Sequence, residues 1–401
     1  MNIKPQHKTL SLLLFSAFIQ GICLSMLASI SQNIMDPGGM ALSKAEYGEM
    51  FFFLLSGVLV VPMVFPYISR RFTMESIYRF SALLNVIYLA VVLLCIYFGF
   101  RARLAYILLA FSSVFGGAAN SLTISNLQFI ASQLFQEKAK NVTIFIHALV
   151  SIGASAGPGV MAVTSSYVAL STNLFAFVVL SVFPIVFSFF VSHDMKKVAA
   201  VLQQDEMDNG KFPLSAKLFL FLCVGYGFIE GFSGNWGVTF VEVEKNQDRA
   251  FAQSCLSLIW FFITVGRLSV LFLMKKIPPT LLHVMAPLVM IVGVMLLLSG
   301  QDHRGLGIGF SILGLGLSYF FPMTVAISME RFPFLRSKLA SYSSGAVMIG
   351  FAAGSVGVGI VSEYFSVALS SFFSMSLLIA LLLAVTAFYV HKNQKNMISR
   401  Q

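Results

Sequence analysis

The sequence predicts an all-α membrane protein of twelve transmembrane helices in two pseudo-symmetric six-helix halves. Three observations carry that prediction. Of 401 residues, 58% are hydrophobic and only 10% charged, with a mean hydropathy of +0.87, whereas a soluble domain is about 25% charged. Twelve apolar runs approach the roughly 20 residues that a helix needs to cross a bilayer core. One long polar stretch, His193 to Lys217, separates six of these runs from the other six.

The first run, Leu10–Ser31, is longer than the apolar core of a signal peptide, and no clear A-x-A site follows it. It is read as a helix. Spans 2 and 3 are Tyr47–Ser69 and Ile77–Phe98, with Arg70 and Arg71 in the loop between. Span 4, Leu104–Leu134, carries Gly116-Gly117. Spans 5 and 6 are Val142–Ser165 and Leu174–Val191. The second half holds Leu218–Val241, Ala250–Leu273, Leu281–Leu298, Leu306–Ile327, Leu339–Ile360 and Phe365–Val390. Most runs are continuously apolar and not alternating, which excludes a β-barrel. The expected organisation is residues 1–192 as the N-terminal half, 193–217 as a central loop and 218–401 as the C-terminal half.

Charge fixes the orientation. With the N-terminus inside, only Lys44, Arg101, Arg103, Lys245, Arg249 and Arg304 of the 26 Lys and Arg lie on the outer side. That asymmetry follows the positive-inside rule. Both termini are expected in the cytoplasm, and a bacterial inner membrane is the preferred location. The net charge of +10 is therefore a topology signal and not a nucleic-acid patch. Asn141-Val142-Thr143 has the form of a glycosylation acceptor, but its loop falls on the cytoplasmic side. The four cysteines lie in apolar spans at no metal-ligand spacing and read as small buried hydrophobes. No phosphate-cradling loop, metal cluster or nucleophile–base pair stands out, so neither an enzyme nor a cofactor is expected, and the chain is expected to be a monomer.

The halves echo each other. Span 5 carries Gly153-x-x-x-Gly157-Pro158-Gly159, and span 11 carries Gly350-x-x-x-Gly354-x-x-Gly357. Glycines four apart bare one helix face for close contact. Arg70-Arg71 after span 2 corresponds to Lys275-Lys276 after span 8, and Gly116-Gly117 to Gly314 and Gly316 of span 10. On these features the whole chain resembles the major facilitator superfamily. That resemblance implies two halves working by alternating access, with spans 1, 4, 7 and 10 lining a central cavity. The family's loop after span 2 reads G-x-x-x-D-R-x-G-R; here Phe65 to Thr73 retain Arg70 but neither the glycines nor the aspartate. Gly227-x-x-Glu230 with Trp236 is similar to the fucose-permease-like branches, whose acidic residues in spans 1 and 4 have no counterparts in this chain.

Glu230 is the one acidic residue deep inside an apolar run, where a charged group is costly and marks function or a specific partner. It is read as a proton carrier, a solute ligand or a structural hydrogen-bonding group. Tyr226, Glu230, Ser233 and Gly237 share a helical face. Gly231, Gly234 and Gly237 suggest a helix break that would bring Asn235 round, beside Trp236. His147 in span 5 is either a proton relay or a satisfied interfacial histidine. Asn120, Asn126 and Gln128 in span 4 either meet solute or join helices; Asn120 and Gln128 share a face. Gln20 sits near mid-membrane in span 1. Tyr319 and Trp260 are candidate aromatic walls. Arg267 lies in the cytoplasmic end of span 8, placed to snorkel or to gate. Arg70, Arg71, Gly153, Gly157 and Pro158 complete the gating candidates.

These residues suggest a secondary transporter of a small organic solute, coupled to protons through Glu230. No cation occupies the centre of spans 1, 4, 7 or 10, which favours a neutral or modestly charged solute rich in hydroxyls or amides. Efflux of a siderophore, drug or metabolite is the alternative, because Gly153 to Gly159 half-match the span-5 motif of the family's antiporters. A non-transporting receptor or scaffold is a second.

Overall fold

A computed structural model describes residues 5–135, 139–196 and 212–392. Most of the central loop expected at 193–217 lies outside these residues. Where it is described, α6 runs on through His193 to Lys196, and Phe212 and the extended Pro213 lead into α7 at Leu214.

Twelve long helices account for the described chain. In order they are α1 (Pro5–Ser29), α2 (Lys44–Arg71), α3 (Met74–Tyr97), α4 (Ala102–Phe135), α5 (Ala139–Thr164) and α6 (Leu170–Lys196). The second six are α7 (Leu214–Thr239), α8 (Arg249–Leu273), α9 (Pro279–Ser299), α10 (His303–Arg331), α11 (Arg336–Ala352, continued by Val358–Tyr364) and α12 (Leu369–Lys392). Each is long and apolar enough to span a membrane. In hydrocarbon every backbone group needs an internal partner, which the helix supplies within one segment. Two expectations are corrected here. Asn141 to Thr143 lie in the first turns of α5 and not in a loop, and Arg70 and Arg71 close α2.

Helix starts follow local chemistry. Ser43 and Glu46 form a reciprocal capping box at α2. Thr73, Asp248 and Asp302 cap α3, α8 and α10. The first turn of α12 is capped from a distance: the Glu244 carboxylate accepts the backbone N–H groups of Leu369 and, at 2.8 Å, Ser370. A carboxylate there also suits the positive end of the helix dipole.

The chain divides into two compact units, 1–203 and 204–401. Within the first, α1 packs on α5, α2 on α4, and α3 on both α4 and α6. Within the second, α7 packs on α11, α8 on α10, and α9 on both α10 and α12. Shifting every number by six converts one pattern into the other, so the repeat suggested by the glycines is a repeat of packing.

Glycine sets the closest crossings. A Cβ on Gly153 of α5 would strike the Phe18 carbonyl of α1, and one on Gly21 of α1 would strike the Val150 carbonyl. In the second unit Gly350 faces the Val224 carbonyl and Gly227 the Val347 carbonyl. These are backbone-to-backbone contacts that only small residues permit.

Candidate functional site

The expected break in α7 is absent: the helix is continuous to Thr239, and a π-helical turn follows over Phe240–Glu244. Its glycines serve contact instead. A Cβ on Gly231 would lie 2.8 Å from the Phe351 carbonyl, and one on Gly237 would lie 3.0 Å from the Phe310 ring. Asn235 and Trp236 turn toward α11, where Asn235 Nδ2 donates to Ser355 Oγ at 2.7 Å and Trp236 Nε1 to the Ser355 carbonyl at 2.9 Å. Ser355 lies in a π-helical turn, Ala353–Gly357, that loosens the regular ladder. The two residues expected at the solute thus join helices.

Glu230 stands one turn below this contact and is half-buried. Tyr226 donates its hydroxyl to Glu230 Oε1 at 2.7 Å. The Tyr226 ring is buried and stacks against Phe321 at 5.6 Å and Phe320 at 6.3 Å, both of α10. Arg267 of α8 acts electrostatically on Glu230 and reaches the Tyr226 hydroxyl. Its Nε donates to the Ser318 carbonyl of α10 at 3.2 Å. Of the two readings of Arg267, snorkelling and gating, the first does not fit these contacts: the side chain turns to Ser318 and Tyr226 and supplies the cation that the centres of spans 1, 4, 7 and 10 lack. Glu230, Tyr226 and Arg267 therefore form one charge-balanced cluster on α7 and α8, braced by α10. Tyr319 is packed with Val270, Leu282 and Met323.

In the first unit the polar candidates pair with each other. Gln128 Nε2 donates to His147 Nε2 at 2.9 Å, linking α4 to α5. That bond makes Nε2 the acceptor and leaves the ring proton on Nδ1. Gln20 is 1% exposed and accepts from Asn85 Nδ2 at 2.9 Å, which places it inside the bundle. Asn126 donates to the Met74 carbonyl at 3.0 Å. Asn120 is half-buried, two turns before Gln128 on α4, and Arg71 is exposed. Gly157 leaves room for Ser25 Oγ, 3.3 Å from where its Cβ would lie, and Pro158 sits within α5.

Besides Ser318, Thr324 and Ser355, three further polar residues escaped the sequence reading. Asn85 is one. The others are His283 of α9 and His391 of α12, whose Nδ1 and Nε2 face each other at 3.0 Å. Their tautomers follow from the neighbours. Thr324 gives its hydroxyl hydrogen to the Phe320 carbonyl at 2.7 Å, so it accepts from His283 Nε2 at 2.8 Å. Neutral His283 then accepts at Nδ1, and His391 donates from Nε2. His283 also stacks on Phe320 at 4.8 Å. A single ring of α10 thus separates the histidine pair from Tyr226.

No family model matches the chain, and no curated protein matches it by sequence. Its structure is similar to solved transporters. A mutant of the nucleoside transporter NupG superimposes with a TM-score of 0.75 at 14% identity, covering 95% of this chain and 99% of that one. A mutant of the peptide transporter POT gives 0.72 at 11% identity over 97% and 99%. A bacterial homologue of the human lysosomal transporter Spinster, inward-facing and unoccupied, gives 0.70 at 12% identity over 100% and 99%. At such identities the similarity defines the fold: this is a multi-pass integral membrane protein with the fold of the major facilitator superfamily.

Proposed function

We propose that the chain is a secondary active transporter that moves a small organic solute by alternating access, with protons as the coupling ion and Glu230 as the group that carries them. The observation that carries this reading is the Glu230–Tyr226–Arg267 cluster. A carboxylate at membrane depth is tolerated only with a partner or a task, and here it has a hydrogen-bond donor and a counter-charge on two adjacent helices. When Glu230 is ionised, Tyr226 and Arg267 satisfy it. When it takes a proton its attraction for Arg267 collapses, and the guanidinium is freed to meet a solute hydroxyl, carbonyl or amide. One proton therefore exchanges the internal pair for an Arg–solute contact.

The cluster carries one formal charge of each sign, which suits a solute of little net charge. The solved structures that share the fold include a nucleoside transporter and a peptide transporter, in keeping with a polar organic solute. The positive-inside pattern supports cytoplasmic termini, and a bacterial inner membrane remains the preferred setting. The test is uptake into proteoliposomes under an imposed pH gradient. Wild-type protein should accumulate its solute above equilibrium, and Glu230→Gln should exchange solute without accumulating it. Undiminished accumulation by that variant would remove Glu230 from coupling.

A further inference from the structure

The first unit contains a small cavity of ≈ 10 Å³ whose walls mix apolar side chains, Ile19 and Ala82 among them, with the polar groups of Ser16 of α1, Tyr78, Ser81 and Asn85 of α3, Thr123 of α4 and Ser181 of α6. Two of its lining atoms, Asn85 Oδ1 and Thr123 Oγ1, are buried and have no hydrogen-bond partner. Both residues are 3% exposed. Leaving a buried polar atom unsatisfied is costly, and here two such atoms from different helices share one space of about one water sphere.

The hydrogen inventory says what the guest must be. Ser16 gives its hydrogen to the Leu12 carbonyl at 2.7 Å, so the close Ser16–Tyr78 contact takes its hydrogen from Tyr78. Ser81 donates to the Tyr78 carbonyl at 2.8 Å and Ser181 to the Val178 carbonyl at 2.7 Å. One amide hydrogen of Asn85 goes to Gln20. Pro184, also on the wall, has no N–H for the Leu180 carbonyl. The cage thus presents lone pairs, with the Thr123 hydroxyl and the second Asn85 amide hydrogen as its remaining donors. A guest there must donate. None of the lining residues is a carboxylate, so a cation would bring an unbalanced charge into a low-dielectric space.

We infer that this cavity is a binding site for a single water molecule, which donates to Asn85 Oδ1 and bridges it to Thr123 Oγ1. Through Asn85 the water also holds the amide that clamps Gln20, so α1, α3 and α4 are joined by one polar ladder.

The experiment uses the full-length protein. A density map at water-resolving quality should show one peak within about 2.6–3.2 Å of both Asn85 Oδ1 and Thr123 Oγ1, and an empty cavity would overturn the inference. Thr123→Val keeps the shape but removes the hydroxyl. It should lower the melting temperature by about 2–4 °C, while Thr123→Ser should melt like wild type. Equal melting of Thr123→Val and wild type would also overturn it. Should Thr123→Val not fold, the peak is sought in Thr123→Ser, where its loss counts against the site. Melting is repeated with sodium replaced by choline: an unchanged value supports water, whereas a sodium-dependent shift kept in Thr123→Ser and lost in Thr123→Val would place a cation there instead and overturn the inference.

Discussion

Tyr226 and Glu230 are joined by a 2.7 Å hydrogen bond across one turn of α7. The bond holds the carboxylate on the helix face that Arg267 approaches. Tyr226→Phe removes one hydrogen bond to a charged group, worth about 1.5–3 kcal/mol. The variant should transport roughly tenfold more slowly or more yet still accumulate solute, because the proton carrier remains. Initial rates and steady-state accumulation, measured together, separate it from Glu230→Gln, which loses accumulation itself.

Arg267 does two jobs that a lysine cannot combine. Its guanidinium reaches the Ser318 carbonyl of α10 while balancing Glu230 and meeting the Tyr226 hydroxyl of α7. Lysine offers one point of charge in place of a planar fork. Arg267→Lys should fold and keep less than about a tenth of the uptake rate, since one charge-assisted bond is worth about 1.5–3 kcal/mol. Arg267→Ala should also melt lower, because it leaves Glu230 without its counter-charge. A wild-type uptake rate in Arg267→Lys would show that charge alone suffices.

The paired crossings make the two units equally sensitive at equivalent points. Gly153→Ala and Gly350→Ala each push a methyl into a facing backbone carbonyl, and overpacking of this kind costs about 1–3 kcal/mol. Both should lower the melting temperature in detergent. Gly345→Ala meets nothing within 4 Å and gains helix propensity of up to about 1 kcal/mol, so it should melt at or above wild type.

His283 ties three helices of the second unit. His283→Phe keeps a ring on Phe320 but removes the bonds to His391 and Thr324, each worth about 1 kcal/mol. A clear fall in melting temperature is expected. Equal melting of His283→Phe and wild type would reduce the pair to packing.

Lys245, just beyond α7, has its pKa lowered by burial, partly opposed by the neighbouring Glu244 carboxylate. Below the ordinary lysine value the unfolded chain therefore binds more protons than the folded one, and stability rises with pH through that window. Lys245→Met removes this slope. The melting temperature of wild type should gain on the variant as pH climbs from neutral toward about 10, and parallel profiles would contradict the shift.

What could be read from the sequence followed from contrast. Glu230 stood out because an acid interrupts an apolar run, and the twelve spans because so little else is polar. Asn85 did not, because one amide barely disturbs the hydropathy of span 3. His283 and His391 lie near span ends, where polar residues are ordinary, and their pairing joins positions 108 residues apart. The glycines of span 7 misled because close approach and helix breakage use the same residue; only the facing Phe351 and Phe310 decide between them. Arg267 stayed open between snorkelling and gating because its position on the helix does not say whether a long side chain runs outward or in.

The π-helical turn at Ala353–Gly357 has a genealogical consequence. Such a turn holds one residue more than the α-helical ladder around it, and α5, which occupies the same place in the first unit, is α-helical from Ala139 to Thr164. If the halves descend from one duplicated ancestor, α11 has gained a residue that α5 lacks. Aligning the halves by structure should therefore open a one-residue gap opposite Ala353–Gly357. The same turn is where Ser355 receives Asn235 and Trp236, so on that descent the added residue would lie in the segment that docks α7.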